Sequence, residues 1–277
     1  MGSVRVRLPQ SPRFGRNINH DPRSRRFPVR KAAPLRSVMH DRKVPVFDQG
    51  DLGACTGYAA TGCMGTEPFF STITPPMQAW GLDPEGAVDL YSRASALDSF
   101  PGSYPPDDTG SDGLSIAKAL KDQRGWISGY EHAFSLDQFL GGLMVLPCIV
   151  GTEWTSGMMD PTPEGVIRPT GRAQGGHEYQ AIGYDNTRAL IWFVNSWGTG
   201  WARRGFHAMQ AEDFGRLLER QGDVTFFTPL SEAAPTPAPD PDKVLASKLS
   251  SWARRDVPPN ADERAAFRQW MSDKGLS

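Results

Sequence analysis

After Leu146 the chain changes character, and that change limits the folds open to it. Cys148 to Trp154, Tyr179 to Tyr184, Ala189 to Asn195, Gly205 to Met209 and Val224 to Phe227 are rich in β-branched and aromatic residues. Gly, Asp and Asn punctuate them, as turns between strands do. The stretch before Leu146 reads as helices. Small residues from Cys55 to Gly65 let one helix sit close against its neighbours, although its glycines cost helix stability. Pro84 and Glu85 open a second helix through Leu97, with proline at a first-turn position. Ser111 is expected to cap a third, which carries Leu114, Ala117 and Leu120 and stops at Gly125. Ser135 with Gln138 is a capping-box pattern for a short fourth. Helices followed by strands imply an α+β fold of two packed lobes with a cleft between them.

The expected domain spans residues 44–230. Ahead of it, residues 1–43 read as a basic, Pro-rich arm; residues 1–45 hold twelve Arg or Lys against two Asp. Pro9, Pro12, Pro22, Pro28 and Pro34 break any helix there, so irregular structure is expected. Phe14, Ile18 and Phe27 are available anchors if the arm wraps the domain. Its charge suits an acidic partner or nucleic acid, or simply a solvated tail. Residues 231–241 form a Pro/Ala linker. Residues 242–277 read as a small helical appendage, with Val244, Leu245, Leu249 and Trp252 on one stripe and Phe267, Trp270 and Met271 on another.

The hydrophobic share of 39% and the charged share of 22% are ordinary for a globular chain. Cys55, Cys63 and Cys148 have no CxxC spacing. No metal site, cofactor or disulfide framework is therefore expected, and reduced thiols fit a cytoplasmic or virion location. No apolar run at the N-terminus suits a signal peptide, and none elsewhere suits a membrane span, so no membrane partner is expected. His132 and His207 stand alone in the sequence and read as structural, and His20 and His40 lie in the arm.

The chemistry gathers around Cys55. Gln49 lies six residues upstream across a glycine-bearing loop. A cysteine at a helix N-terminus feels unpaired N–H groups and the positive end of the helix dipole, which favour thiolate. A neighbouring Gln amide can donate to an oxyanion. Gly176 and His177 enter one expected strand, and Asn195, Ser196 and Trp197 leave the next. With a turn near Asp185 to Arg188, His177 and Asn195 come within reach on adjacent antiparallel strands. The Asn then fixes which imidazole nitrogen faces the sulfur, and Trp197 can cover that bond.

Gln49-Gly50 through Cys55, Gly176-His177 with Ala181-Ile182-Gly183-Tyr184, and Asn195-Ser196-Trp197-Gly198-Thr199-Gly200-Trp201 together resemble the papain family of cysteine peptidases. That family carries its His and Asn roughly 130–150 residues beyond the Cys; here the separations are 122 and 140. The resemblance covers about residues 44–230. It implies a papain-like two-lobed fold, with Cys55 on the central helix of one lobe and His177 and Asn195 on the β lobe. It implies peptide hydrolysis by Cys55, His177 and Asn195, with Gln49 and the Cys55 N–H holding the oxyanion. It also implies that Gly110 and Ser111 present backbone to a bound peptide or protein substrate. Thr56, Leu52 in place of a disulfide cysteine, Glu178 after the His, and Ala202-Arg203-Arg204 all depart from the family's pattern. Strand alternation turns Glu178 away from the site, where an Arg partner is expected. The family's long helical propeptide has no counterpart in the short, Pro-broken arm, so the enzyme is expected to be made active. Two other readings remain open: an amide hydrolase acting on peptidoglycan, and a virion or structural protein on a papain-like scaffold.

Overall fold

The β-branched and aromatic segments after Leu146 pair with one another and with two others into a single antiparallel sheet. The computed structural model describes residues 3–8, 13–30, 32–79 and 81–230. The expected linker and appendage lie outside the described residues.

The sheet contains β3 (Val38–Met39), β4 (Ile127–His132), β5 (Cys148–Thr155), β6 (Ala173–Asp185), β7 (Leu190–Val194), β8 (Phe206–Gln210) and β9 (Asp223–Pro229). Six of its seven strands run in the order β4-β9-β5-β6-β7-β8, and β3 pairs with β6. The central strand β5 is flanked by β6 and β9, with Gly151 opposite both Glu178 and Asp223. Cys148, Ile149, Val150 and Trp154 of β5 are buried, so it reads as a continuous apolar run with little polar alternation.

Helices α1 (Cys55–Met64), α2 (Phe69–Thr72), α3 (Pro75–Ala79), α4 (Pro84–Leu97), α5 (Gly113–Lys118), α6 (Leu136–Leu143) and α7 (Ala211–Glu219) complete the pattern. All ten residues of α1 are buried. The small residues of α1 make that possible: it packs against α4 on one side and β6 on another. Asp83 caps α4 by accepting from the Gly86 N–H, and Pro84 follows at the first helical position. Ser135 caps α6 by accepting from the Gln138 N–H.

Several expectations change. Asp112, not Ser111, caps α5, its carboxylate accepting from the Ser115 N–H at 3.0 Å. Ser111 is extended because its N–H and C=O are both engaged with the arm. The helix widens into a π turn over Ala119–Arg124 and ends at Gly125, whose φ is 64°. The arm is not wholly irregular. Strand β1 (Val4–Val6) pairs with β2 (Ile18–His20), a 3-10 turn spans Pro22–Arg26, and β3 joins the main sheet. Proline excludes helix interiors but leaves short edge strands open to the residues between. Phe14 and Ile18 are buried anchors, whereas Phe27 is exposed. Strand β4 and helix α7 had no strong sequence signal: β4 is an edge strand with a mixed burial pattern, and α7 shares its register with charged residues on most of its surface.

Candidate active site

The loop from Gln49 to Ala54 is held on both sides before it delivers Cys55 to the first position of α1. The Gln49 N–H donates to the Ser196 carbonyl at 2.9 Å, and Gln49 Oε1 accepts from the Ser196 hydroxyl at 2.6 Å. Those two bonds aim the Gln49 amide nitrogen inward, where it donates to the Leu52 carbonyl at 2.7 Å. The Gly53 N–H donates to Asp108 at 2.8 Å, and Asp108 also accepts from the Tyr91 hydroxyl at 2.6 Å. The loop is thereby tied to α4.

Cys55 is fully buried. Burial pushes its thiol up to about 12; backbone N–H groups of Glu178, Gly15 and Thr56 pull the other way, while the charge of Glu178 adds to the rise. The helix N-terminus alone would favour thiolate, so desolvation outweighs it here.

Across the cleft, β6 carries His177 and the chain leaving β7 carries Asn195. The His177 Nε2 donates to Asn195 Oδ1 at 2.7 Å. The same oxygen accepts from the Ser196 N–H at 2.8 Å, which fixes the amide's orientation. Trp197 lies over the imidazole with ring centroids 4.9 Å apart, and Trp154 meets it edge-on at 5.0 Å. Burial lowers the His177 pKa to about 4 against the opposing pull of Asn195 and the Arg13 carbonyl. Among the described residues, Nδ1 has no hydrogen-bond partner. Because the Glu178 N–H reaches the Cys55 sulfur, the strand bearing His177 abuts the N-terminus of α1. The structure thus brings Gln49, Cys55, His177, Asn195 and Trp197 to one place, with thiol and imidazole both neutral.

What the sequence did not disclose is the segment lying over them. The Arg13 carbonyl accepts from Gln49 Nε2 at 3.3 Å. The Phe14 ring packs edge-on against His177 and Trp197, with centroids 5.9 and 5.8 Å away. The Gly15 N–H faces the Cys55 sulfur, and a Cβ at Gly15 would overlap the Gly53 carbonyl. The Arg16 N–H donates to the Gly176 carbonyl at 3.1 Å. The Ser111 N–H donates to the Gly15 carbonyl at 2.8 Å, and the Asn17 N–H to the Ser111 carbonyl at 2.7 Å. Ser111 and Gly176 therefore do present backbone to an extended chain, and that chain is the protein's own arm. Gly110 instead donates its N–H to the Tyr91 hydroxyl at 2.9 Å. The available signals were Phe14 as an anchor and Gly15 beside it.

Residues 136–219 match the profile described as "Papain family cysteine protease". That segment contains His177 and Asn195. The chain carries a papain-family cysteine protease segment on a papain-like fold. Xylellain, a cysteine protease from Xylella fastidiosa, superposes with a TM-score of 0.62 at 16% identity, covering 80% of this chain and 98% of that one. Digestive procathepsin L 3 of Tenebrio molitor larval midgut superposes with a TM-score of 0.52 at 14% identity, covering 73% of each chain. No curated relative matches the sequence. The match to the papain-family profile over this segment and these two superpositions give the chain a papain-like α+β fold. Among the described residues, no helix is long and apolar enough to cross a membrane.

The departures from the papain pattern have local consequences. Ala202 and Arg204 adopt left-handed conformations, φ 47° and 58°, that a glycine would take without strain. Cys63 and Cys148 are buried and free, as Cys55 is. Glu178 is fully buried, and the arginine beside it is Arg16, although among the described residues neither Glu178 carboxyl oxygen has a hydrogen-bond partner.

Proposed function

We propose that the chain hydrolyses peptide bonds through Cys55, His177 and Asn195. His177 takes the thiol proton at Nδ1, and the thiolate attacks the peptide carbonyl carbon. Gln49 Nε2 and the Cys55 N–H, free at the start of α1, donate to the resulting oxyanion. The imidazolium then gives its proton to the leaving amine, and water attacks the thioester to regenerate the thiol. Asn195 holds Nε2 throughout, so that Nδ1 is the nitrogen that exchanges the proton.

The observation that carries this reading is the His177–Asn195 bond at 2.7 Å, lying under Trp197 and opposite a Gln49 amide whose nitrogen already binds a carbonyl oxygen. That oxygen is Arg13's. The arm thus holds a peptide carbonyl where the oxyanion donor acts, and the conformation described is a covered one. In it the thiol and imidazole are neutral because water is excluded from both. Substrate requires the arm to move aside, after which solvent restores the pair's ordinary tendency to exchange a proton.

The test is casein hydrolysis and labelling by an epoxysuccinyl thiol-protease inhibitor, each before and after the arm is trimmed by limited proteolysis. Trimming should raise both, and Cys55→Ala should abolish both. Casein hydrolysis that survives Cys55→Ala would refute the assignment. So would a trimmed, folded chain in which Cys55 stays unlabelled.

A further inference from the structure

The chain beyond Trp201 turns back on itself before it enters β8. The Arg203 N–H donates to the Phe206 carbonyl at 3.0 Å, and the Phe206 N–H donates to the Arg203 carbonyl at 3.1 Å. Between them Arg204 and Gly205 both have positive φ, 58° and 86°, the geometry of a type I′ turn. Arg203 and Arg204 are both exposed there. Gly205 seats the turn on the segment 42–46, because a Cβ at Gly205 would lie 2.4 Å from Val46. Turn and segment thereby wall a groove of about 630 Å³, with Trp192 of β7 and Met39 of β3 also in its lining. Trp192, Phe206, Val44 and Val46 are half-buried, and Met39 is 55% exposed.

The charge of this groove has one sign. Its lining holds Arg42, Arg203 and Arg204 and no acidic residue. Among the described residues none of the three enters an ion pair, whereas Arg13, Arg16, Arg23 and Arg30 of the arm each face a carboxylate. Arg42 is held by neutral oxygens only. Its Nε donates to the Val44 carbonyl at 3.1 Å, its Nη2 to the Pro45 carbonyl at 2.9 Å and its Nη1 to Gln180 Oε1. Desolvation pulls its pKa down to about 10 against the opposing pull of Cys63. A partly desolvated cation with no anion beside it attracts one. The two exposed guanidiniums add planar forks of donors that fit carboxylates. Phosphate backbones are bound by cations strung along their length. Here the cations adjoin an aliphatic and aromatic floor, which suits carboxylates flanking an apolar side chain.

We propose that the groove between the Arg203–Phe206 turn and the segment 42–46 docks an acidic segment of a partner protein. The segment sets an apolar side chain against Trp192 and Val46 and its carboxylates against Arg203 and Arg204. The groove shares no residue with the cluster of Gln49, Cys55, His177, Asn195 and Trp197, so docking there stands apart from peptide hydrolysis. Its walls are already locked together by the close contact of Gly205 with Val46, and little ordering is needed on binding.

The experiment titrates short fluorescein-labelled peptides onto the full chain carrying Cys55→Ala, so that no probe is cut, and reads fluorescence anisotropy. The parent peptide has leucines flanked by glutamates. Its twins carry glutamine for glutamate, lysine for glutamate, or alanine for leucine, and a single-stranded oligonucleotide is run beside them. The parent should bind at least about tenfold more tightly than the glutamine and alanine twins, and its affinity should fall as salt rises. Arg203→Glu combined with Arg204→Glu should reverse the preference in favour of the lysine twin, a gain that only a folded groove can give. Met39→Glu, at the exposed rim, should weaken the parent as well. Equal binding of the parent and its glutamine twin overturns the proposal, as does parent binding that survives the charge reversal, or no binding of any peptide at low salt. An oligonucleotide that outcompetes the parent and is lost on charge reversal overturns it in favour of nucleic acid. A dimer in sedimentation that the charge reversal dissolves overturns it in favour of a second copy of this chain.

Discussion

Gly15→Ala should open the cleft. Gly15 passes so close to Gly53 that an added Cβ would overlap the Gly53 carbonyl, and that residue is held in place by its own N–H, which donates to Asp108. The arm must lift instead. Four backbone bonds hold it there, Arg13 to Asp51, Arg16 to Gly176 and the two with Ser111. Each contributes about 1 kcal/mol net, and burial of Phe14 contributes about 2 kcal/mol. These terms give the covered state an advantage of about 6 kcal/mol. Overpacking of this kind costs about 1–3 kcal/mol, and every 1.4 kcal/mol is a factor of about ten in the open population. Alkylation of Cys55 by iodoacetamide, followed by mass spectrometry at pH 8, should therefore accelerate by about tenfold to a hundredfold. Cys63 and Cys148 serve as internal controls, since both are buried. If all three cysteines accelerate together, the variant has unfolded, and the smaller change Phe14→Leu replaces it. Unchanged Cys55 reactivity in a chain whose Cys63 and Cys148 stay protected would refute the argument that the arm gates the thiol.

Two further outcomes follow from the same geometry. Because burial raises the Cys55 pKa to about 12 in the covered chain, the thiol keeps its proton through neutral pH and the thiolate fraction grows as pH rises. Alkylation of the wild-type chain should climb about tenfold per pH unit between pH 7 and 10 without a plateau, while Arg16→Ala should level off at lower pH; a wild-type plateau below pH 9 would contradict this. Asp108→Ala should remove the acceptor shared by the Gly53 N–H and the Tyr91 hydroxyl, costing about 1 kcal/mol at this partly solvated site and lowering Tm by about 3 °C. Calorimetry checks the shift, and an unchanged Tm would show that solvent replaces both bonds.

Much of the candidate site was legible because its pieces are local. Gln49, Cys55, His177 and Asn195 each stand beside a glycine, a turn or a strand end that announces itself within a few residues, and the structure brings all four together. The same locality explains the helix over Pro84–Leu97 and the Ser135 cap of α6. Ser111 misled for a related reason: it has a good capping side chain, but the arm takes up its backbone, and Asp112 caps the helix instead.

The sequence by itself pointed to the candidate reactive groups and to most of the segments that become strand or helix, since both depend on residue type and short-range spacing. Only the tertiary structure decided where the arm runs and what Glu178 faces. Arg16 and Asp223 are 207 residues apart, and their meeting depends on the pairing of β5 with both β6 and β9, on a glycine at the crossing, and on Phe14 finding the aromatic roof of the cleft. A strand period places a side chain on a face of the sheet. Which strand lies alongside, and which side chain then shares that face, is settled by packing between segments far apart in the chain.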